Sequence, residues 1–332
     1  MNKITMDEYC LGILERLQRD IKDNEQIEIN KVKKNNGVEL HGLNIKKNDC
    51  NLSATLYLEK HYEDFLQNGN MEDSYRKVLA TYNVIRTEKS IDMSFFTEYS
   101  QVKDKIFYKL VNYERNFELL LDAPFTKVFD LAMTYYALAG DGIDDGVIMI
   151  KNSHINHWGI DKGELDKVAR KNTPVIFPAV VSSLDETVRS LMGKDDANEE
   201  SKPVSVTLQD ENGTFNKDNI LEFRNGSVDK YGESGMHILT NKNKLFGAGC
   251  LIYPGALRAI YGELKESFYV LPSSVHEVIL MPDRDTPRES APFLGEIVKE
   301  INDSTVEAEE VLSDSVYYYD GAKDEFRFCS NH

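Results

Sequence analysis

The sequence predicts an α+β fold: an N-terminal helix plus β-meander lobe followed by a larger mixed α+β lobe. Three observations lead there. Alternating strand-like segments flank the hairpin signal Asn35-Asn36-Gly37, and amphipathic helical segments lie on either side of them. After about residue 104, short β-like runs and helix-period segments alternate with no internal repeat. Finally, Met236 to Asp285 holds the order strand, strand, helix, strand, strand in one dense apolar stretch. The expected lobes are 1–104 and 105–332.

In chain order, Ile4 to Ile21 places Ile4, Leu11, Leu14, Leu17 and Ile21 at helical spacing, with Thr5 or Asn2 as N-cap. Ile27 to Val32 and Val38 to Ile45 alternate apolar with polar around the Asn-Asn-Gly turn, and Leu52 to Leu58 is a third strand. A helix follows around Tyr62 to Gln67 and ends at Asn68-Gly69-Asn70. Met71 to Arg86 is the next helix. Lys105 to Leu121 reads as two strands joined by Asn112 to Asn116. Val128 to Ala139 and Val147 to Ile150 read as a hairpin with a long acidic loop. Asn152 or Ser153 caps one helical segment and Asp161 caps another, which Pro174 is expected to stop. Val175 to Val181 is a strand and Leu184 to Met192 a helix. Residues 193–203 and 209–234 are polar, with turn signals at Asn212-Gly213 and Asn225-Gly226.

Within the dense stretch, Met236 to Thr240 and Gly247 to Ile252 are expected strands, joined by a turn at Asn241-Lys242-Asn243. Pro254 opens a helix through Leu264, since proline loses nothing in a first turn. Phe268 to Leu271 and Val275 to Leu280 are strands around Pro272-Ser273-Ser274. A helix at Pro292 to Asn302 and a hairpin of Ser315 to Tyr319 with Glu325 to Cys329 close the chain.

Several segments carry a resemblance: NHWGIDKGEL (Asn156 to Leu165), NTP (Asn172 to Pro174), YPGAL (Tyr253 to Leu257), LPSSVHEVIL (Leu271 to Leu280) and VLSDSVYYYD (Val311 to Asp320). In them the chain resembles a family of uncharacterised proteins of anaerobic Firmicutes, described as a domain of unknown function. The resemblance implies a shared fold and supplies neither an activity nor catalytic residues.

The 332 residues suit two sub-domains, and 41% apolar with 29% charged residues is ordinary for a globular protein. No run approaches the roughly 20 apolar residues of a membrane span, and the N-terminus has no apolar signal core, so a cytoplasmic location is expected. Cys10, Cys50, Cys250 and Cys329 form no C-x-x-C pair, which suits a reduced compartment. Net charge is −17 and uneven: residues 1–120 hold 18 Lys+Arg and 20 Asp+Glu, the remainder 21 and 36. Such an acidic second part repels nucleic-acid phosphates; it leaves a basic protein partner or nucleic-acid mimicry open, with solubility as the simplest reading.

The candidate chemistry is sparse. Asp141, Asp144 and Asp145 make a glycine-bounded acidic loop of oxygen ligands, without the closing Glu of a calcium loop. An acidic hairpin tip is the preferred reading of them over a metal site. His154 and His157, three apart beside Trp158, suit two positions of a zinc site with no third ligand nearby. Ser274, His276 and Glu277, with Ser273, invite a nucleophile–base reading. Against it, the G-x-S-x-G elbow is missing, and His276 and Glu277 point to opposite faces of a strand. Asp283-Arg284-Asp285 with Arg288 suits a charged contact or a solvated loop. Tyr317-Tyr318-Tyr319 suits an aromatic surface or a packed strand.

The expected function is a cytosolic binding or regulatory protein without catalytic activity, which contacts a protein partner through its acidic C-terminal lobe. No cofactor is expected, and no membrane or direct phosphate contact. The alternative is a hydrolase-like enzyme with a site near His276, Glu277 and the acidic loops. A further alternative is a nucleic-acid mimic, which needs the carboxylates of 185–234 and 300–325 to line one face.

Overall fold

The structure, a computed structural model, describes residues 4–20, 25–47, 54–85, 93–140, 142–143, 146–192, 203–210, 212–224, 235–272, 274–284 and 291–329. The chain is α+β and divides into two compact units, Met1–Ser94 and Phe95–His332.

The first unit runs α1 (Met6–Asp20), β1 (Glu25–Lys33), β2 (Glu39–Lys47), β3 (Thr55–Tyr57), α2 (Glu59–Asn68) and α3 (Met71–Ile85). Thr5 and Glu8 form a capping box at α1: the Thr5 hydroxyl accepts the Glu8 N–H at 3.3 Å, and Glu8 Oε2 accepts the Thr5 N–H at 2.8 Å. The antiparallel meander β1-β2-β3 turns at Asn36 (φ 60°) and Gly37 (φ 70°), left-handed positions that Asn and Gly adopt most easily. Tyr9, Ile13, Leu17, Leu43, Leu58 and Val78 form its core.

The second unit runs α4 (Tyr99–Val102), β4 (Ile106–Asn112), α5 (Phe117–Leu120), β5 (Phe125–Val128), β6 (Leu131–Leu138), β7 (Val147–Met149), α6 (Asn152–Trp158) and α7 (Lys162–Ile176). It continues with β8 (Ala179–Ser183), α8 (Leu184–Leu191), β9 (Val204–Gln209), β10 (Phe215–Phe223), β11 (His237–Asn241), α9 (Ala256–Leu264), β12 (Phe268–Leu271), β13 (Val278–Pro282), α10 (Ala291–Thr305), β14 (Val316–Asp320) and β15 (Glu325–Cys329). β4, β6 and β5 make an antiparallel sheet in that order, and β7 also pairs with β6. A second sheet has the order β15-β14-β12-β13-β11-β8-β10-β9, antiparallel except at β8–β10. One face of each sheet contributes to a shared core: Ile106, Tyr108 and Leu110 from β4, Met133 and Tyr135 from β6, Phe268 and Val270 from β12, Tyr317 and Tyr319 from β14. The period of two sends Tyr269, Val316 and Tyr318 to the opposite face, where Leu294 and Val298 of α10 cover them.

Three expectations are corrected. Phe117–Leu120 is one helical turn and not a strand: Leu120 N–H bonds the Asn116 carbonyl at 3.0 Å, and only Leu120 of the turn is buried. A short apolar run has no period to choose between the two forms. Gly247–Ile252 is a buried 3₁₀ turn, because β8 and β13 occupy both edges of β11 and leave it no ladder to join. Pro174 lies within α7, and β8 begins at Ala179. Proline there removes a single bond near the helix end, and the Tyr253 hydroxyl donates to the Phe177 carbonyl at 2.9 Å just beyond it. The polar 209–234 stretch contributes β10, paired with β9 across a turn at Gly213 (φ 78°).

Candidate functional site

The segment between β12 and β13 holds the serine–histidine group. The Ser274 hydroxyl accepts the His276 backbone N–H at 3.0 Å, a local turn of the kind serine makes two residues ahead. The Ser274 backbone bridges Val311, and the Val275 N–H donates to the Glu310 carbonyl at 2.8 Å. His276 Nδ1 accepts the Phe246 N–H at 3.3 Å, which places the ring proton on Nε2, 3.5 Å from Glu310 Oε1. Its ring stacks on Phe246, with centroids 5.9 Å apart. Both nitrogens of His276 therefore face groups other than Ser274. Glu277 is half-buried with no partner among the described residues, and Ser273 lies outside them.

Phe246 ends a tightly held loop. Asn241 Nδ2 donates to the Leu245 carbonyl at 2.7 Å, while Lys244 (φ 53°) and Phe246 (φ 58°) hold left-handed backbone that costs roughly 1–3 kcal/mol each. Lys109 Nζ sits 4.6 Å from the Tyr136 ring centroid and 4.8 Å from that of Phe246, a cation between two π faces. Sequence reading missed this cage, whose members come from three distant segments.

The two candidate zinc ligands have different surroundings. His154 Nδ1 accepts the Lys151 N–H at 3.0 Å as part of the start of α6. Its ring packs edge-on against Phe96 at 4.9 Å. Burial first, then Lys151 and His157, lowers its pKa. His157 is exposed, and Trp158 Nε1 donates to the Phe96 carbonyl at 3.0 Å. Among the described residues no group of three or more His, Cys, Asp or Glu is arranged to hold a metal ion. Asp141, Asp144 and Asp145 lie outside those residues, as do Asp285 and Arg288.

The remaining motif residues close polar joints. Tyr317, Tyr318 and Tyr319 are buried, and their hydroxyls donate to Asp130, Asp283 and Asp324 respectively. Ser313 also donates to Asp130, so one carboxylate ties β14 to the β5–β6 turn. Burial, with Asp130 beside it, pushes the Tyr317 hydroxyl pKa well up. Tyr135 donates to Asp166 at 2.6 Å, and Arg170 holds the other oxygen of Asp166 at 2.7 Å. Burial acts to raise the Asp166 pKa, but these donors outweigh it and hold it low. Asn172 Nδ2 donates to the Lys103 and Ile106 carbonyls at 2.8 and 3.0 Å, and the Thr173 hydroxyl accepts the Tyr108 N–H at 3.0 Å. The NTP segment thereby closes the open edge of β4.

Several basic side chains of this unit are paired within it: Arg115 with Asp314, Arg258 with Asp324 and Arg284 with Glu266, each at 2.6 Å, and Lys242 with Glu222 at 2.7 Å. Residues 1–94 carry 14 Lys+Arg and 16 Asp+Glu; of the chain's 39 and 56, that leaves 25 and 40 for residues 95–332, a net of −15. The uncompensated negative charge lies on this unit.

The model of a family of unknown function, DUF5688, matches residues 6–321, which take in all five motif segments. The chain belongs to that family. No curated protein and no solved structure matches it. Among the described residues, no helix is long and apolar enough to cross a membrane.

Proposed function

We propose that this protein is a non-catalytic binding or regulatory protein of the Firmicutes cytoplasm, whose acidic second unit docks a basic protein partner. The observation that carries the reading is the net charge of −15 on residues 95–332, whose arginines are largely closed onto carboxylates of the same unit. An acidic surface of this size speeds encounter with a basic partner and repels nucleic-acid phosphates. The Ser274, His276 and Glu277 geometry lends support. A hydrolase built there would first have to free His276 Nδ1 from the Phe246 N–H and turn Nε2 from Glu310.

Native mass spectrometry on untagged full chain, purified gently from a Firmicutes host, tests the proposal. The expected result is a stoichiometric basic polypeptide that dissociates as ionic strength rises to ~0.5 M, where exposed charges are screened. A stoichiometric metal or tightly held small molecule, with no polypeptide, would overturn it.

A further inference from the structure

The helix α10 presents two apolar faces. Ala291, Leu294 and Val298 are buried against β12, β14 and their neighbours. Phe293, Ile297 and Ile301, spaced four apart, form a second stripe that stays 62%, 36% and 42% exposed. One turned-out apolar side chain needs no explanation, but three in register along one helix are a face left unpartnered among the described residues. Glu296, Glu300 and Asp303 fall beside that stripe by helical spacing. All three are exposed, and none forms an ion pair among the described residues. Lys299 is the only basic residue of the helix.

On the reading that the acidic unit docks a basic partner, we infer that α10 is the docking surface, and that it takes an amphipathic basic helix. The apolar edge of such a helix would pack on Phe293, Ile297 and Ile301, and its Lys or Arg flank would face Glu296, Glu300 and Asp303. The stripe is about 12 Å long at 1.5 Å per residue, so roughly two turns of partner helix cover it. Charge complementarity selects this occupant over a second copy of the chain, which would bring the same carboxylates against themselves.

The test is fluorescence anisotropy of the full chain with three synthetic peptides of equal charge. The first is a Leu/Lys helix with Leu at amphipathic spacing, the second the same residues scrambled, and the third a Lys/Gly peptide without apolar residues. Two variants carry the comparison: I297S/I301S, which removes the stripe, and E296Q/E300Q/D303N, which keeps it and removes the charge. The altered side chains face solvent, and Trp158 fluorescence checks folding. The amphipathic peptide should bind more tightly than both controls. The stripe variant should weaken it at least about tenfold, and the charge variant about tenfold at low salt with a flatter salt dependence. Equal affinity for the scrambled peptide, or no change in either variant, overturns the assignment to α10. If the Lys/Gly peptide binds equally well to every variant, the acidic-unit reading stands and the α10 assignment falls. If no basic peptide binds at low salt, both fall. A concentration-dependent dimer abolished by I297S/I301S would make a second copy the occupant and overturn the proposed partner.

Discussion

Thr173→Val removes a hydroxyl that makes two hydrogen bonds at the join between α7 and the edge of β4. Thr173 is 2% exposed; its hydroxyl donates to the Ala169 carbonyl at 2.6 Å and accepts the Tyr108 N–H at 3.0 Å. Valine keeps the shape and β-branching and removes the acceptor, so the Tyr108 N–H is left buried beside a methyl group. Leaving such a donor unmade costs about 1–3 kcal/mol. Thr173→Ser keeps the hydroxyl and loses one buried methyl, about 1 kcal/mol. In a unit of this size, each kcal/mol lowers Tm by roughly 2–4 °C. The chain has a single tryptophan, Trp158, in the second unit, so its fluorescence during urea unfolding reports on that unit alone. Valine should lower the urea midpoint with an unchanged m-value and abolish slow exchange of the Tyr108 amide. Serine should leave that amide protected. A valine variant as stable as the parent, or one in which the Tyr108 amide stays protected, would refute the reasoning.

Gly247→Ala should cost about 2–3 kcal/mol by overpacking, since its Cβ would lie 2.3 Å from Thr240 Oγ1 and 2.4 Å from the His276 carbonyl; chemical denaturation measures it. His154 and His237 are both held below the ordinary 6.5, by burial first. The folded chain therefore binds fewer protons than the unfolded chain just below that pH. Their stabilisation is full above about 6.5 and is lost as pH falls through the lowered folded values. The urea midpoint should decline as pH falls below about 6.5, and less steeply in His237→Gln. Asp166 and Asp324, held below 3.8, act in a separate window at lower pH. Burial pushes the Cys10 thiol up to about 11 and Cys250 to about 12. In alkylation of the native protein followed by peptide mapping, Cys329, only half-buried, should therefore be modified before either.

Features set by local chemistry were legible without the structure. The Asn35-Asn36-Gly37 turn, the Thr5 cap and the Asp161 cap of α7, whose carboxylate accepts the Glu164 N–H at 2.8 Å, all depend on neighbours a few residues away. The acidic bias of the second unit is likewise a property of composition. Even the second stripe of α10 can be read from the spacing of Phe293, Ile297 and Ile301, although spacing alone does not say which apolar face is buried.

Long-range decisions were not legible. The Gly247–Ile252 run has the composition of a buried strand, yet it turns because both edges of β11 are already occupied. Pro174 ends most helices, yet α7 runs past it, with the hydroxyl of Tyr253, far along the chain, at the helix end. Ser274 and His276 are near neighbours in sequence, yet Phe246 and Glu310 decide where the ring nitrogens point. By itself, the sequence determined turns, caps, periodicity and charge, because those energies act within a few residues. Only the tertiary structure decided which strand edges were free, which carbonyls met a hydroxyl and which apolar face stayed in water, because each depends on segments of the second unit that are separated along the chain.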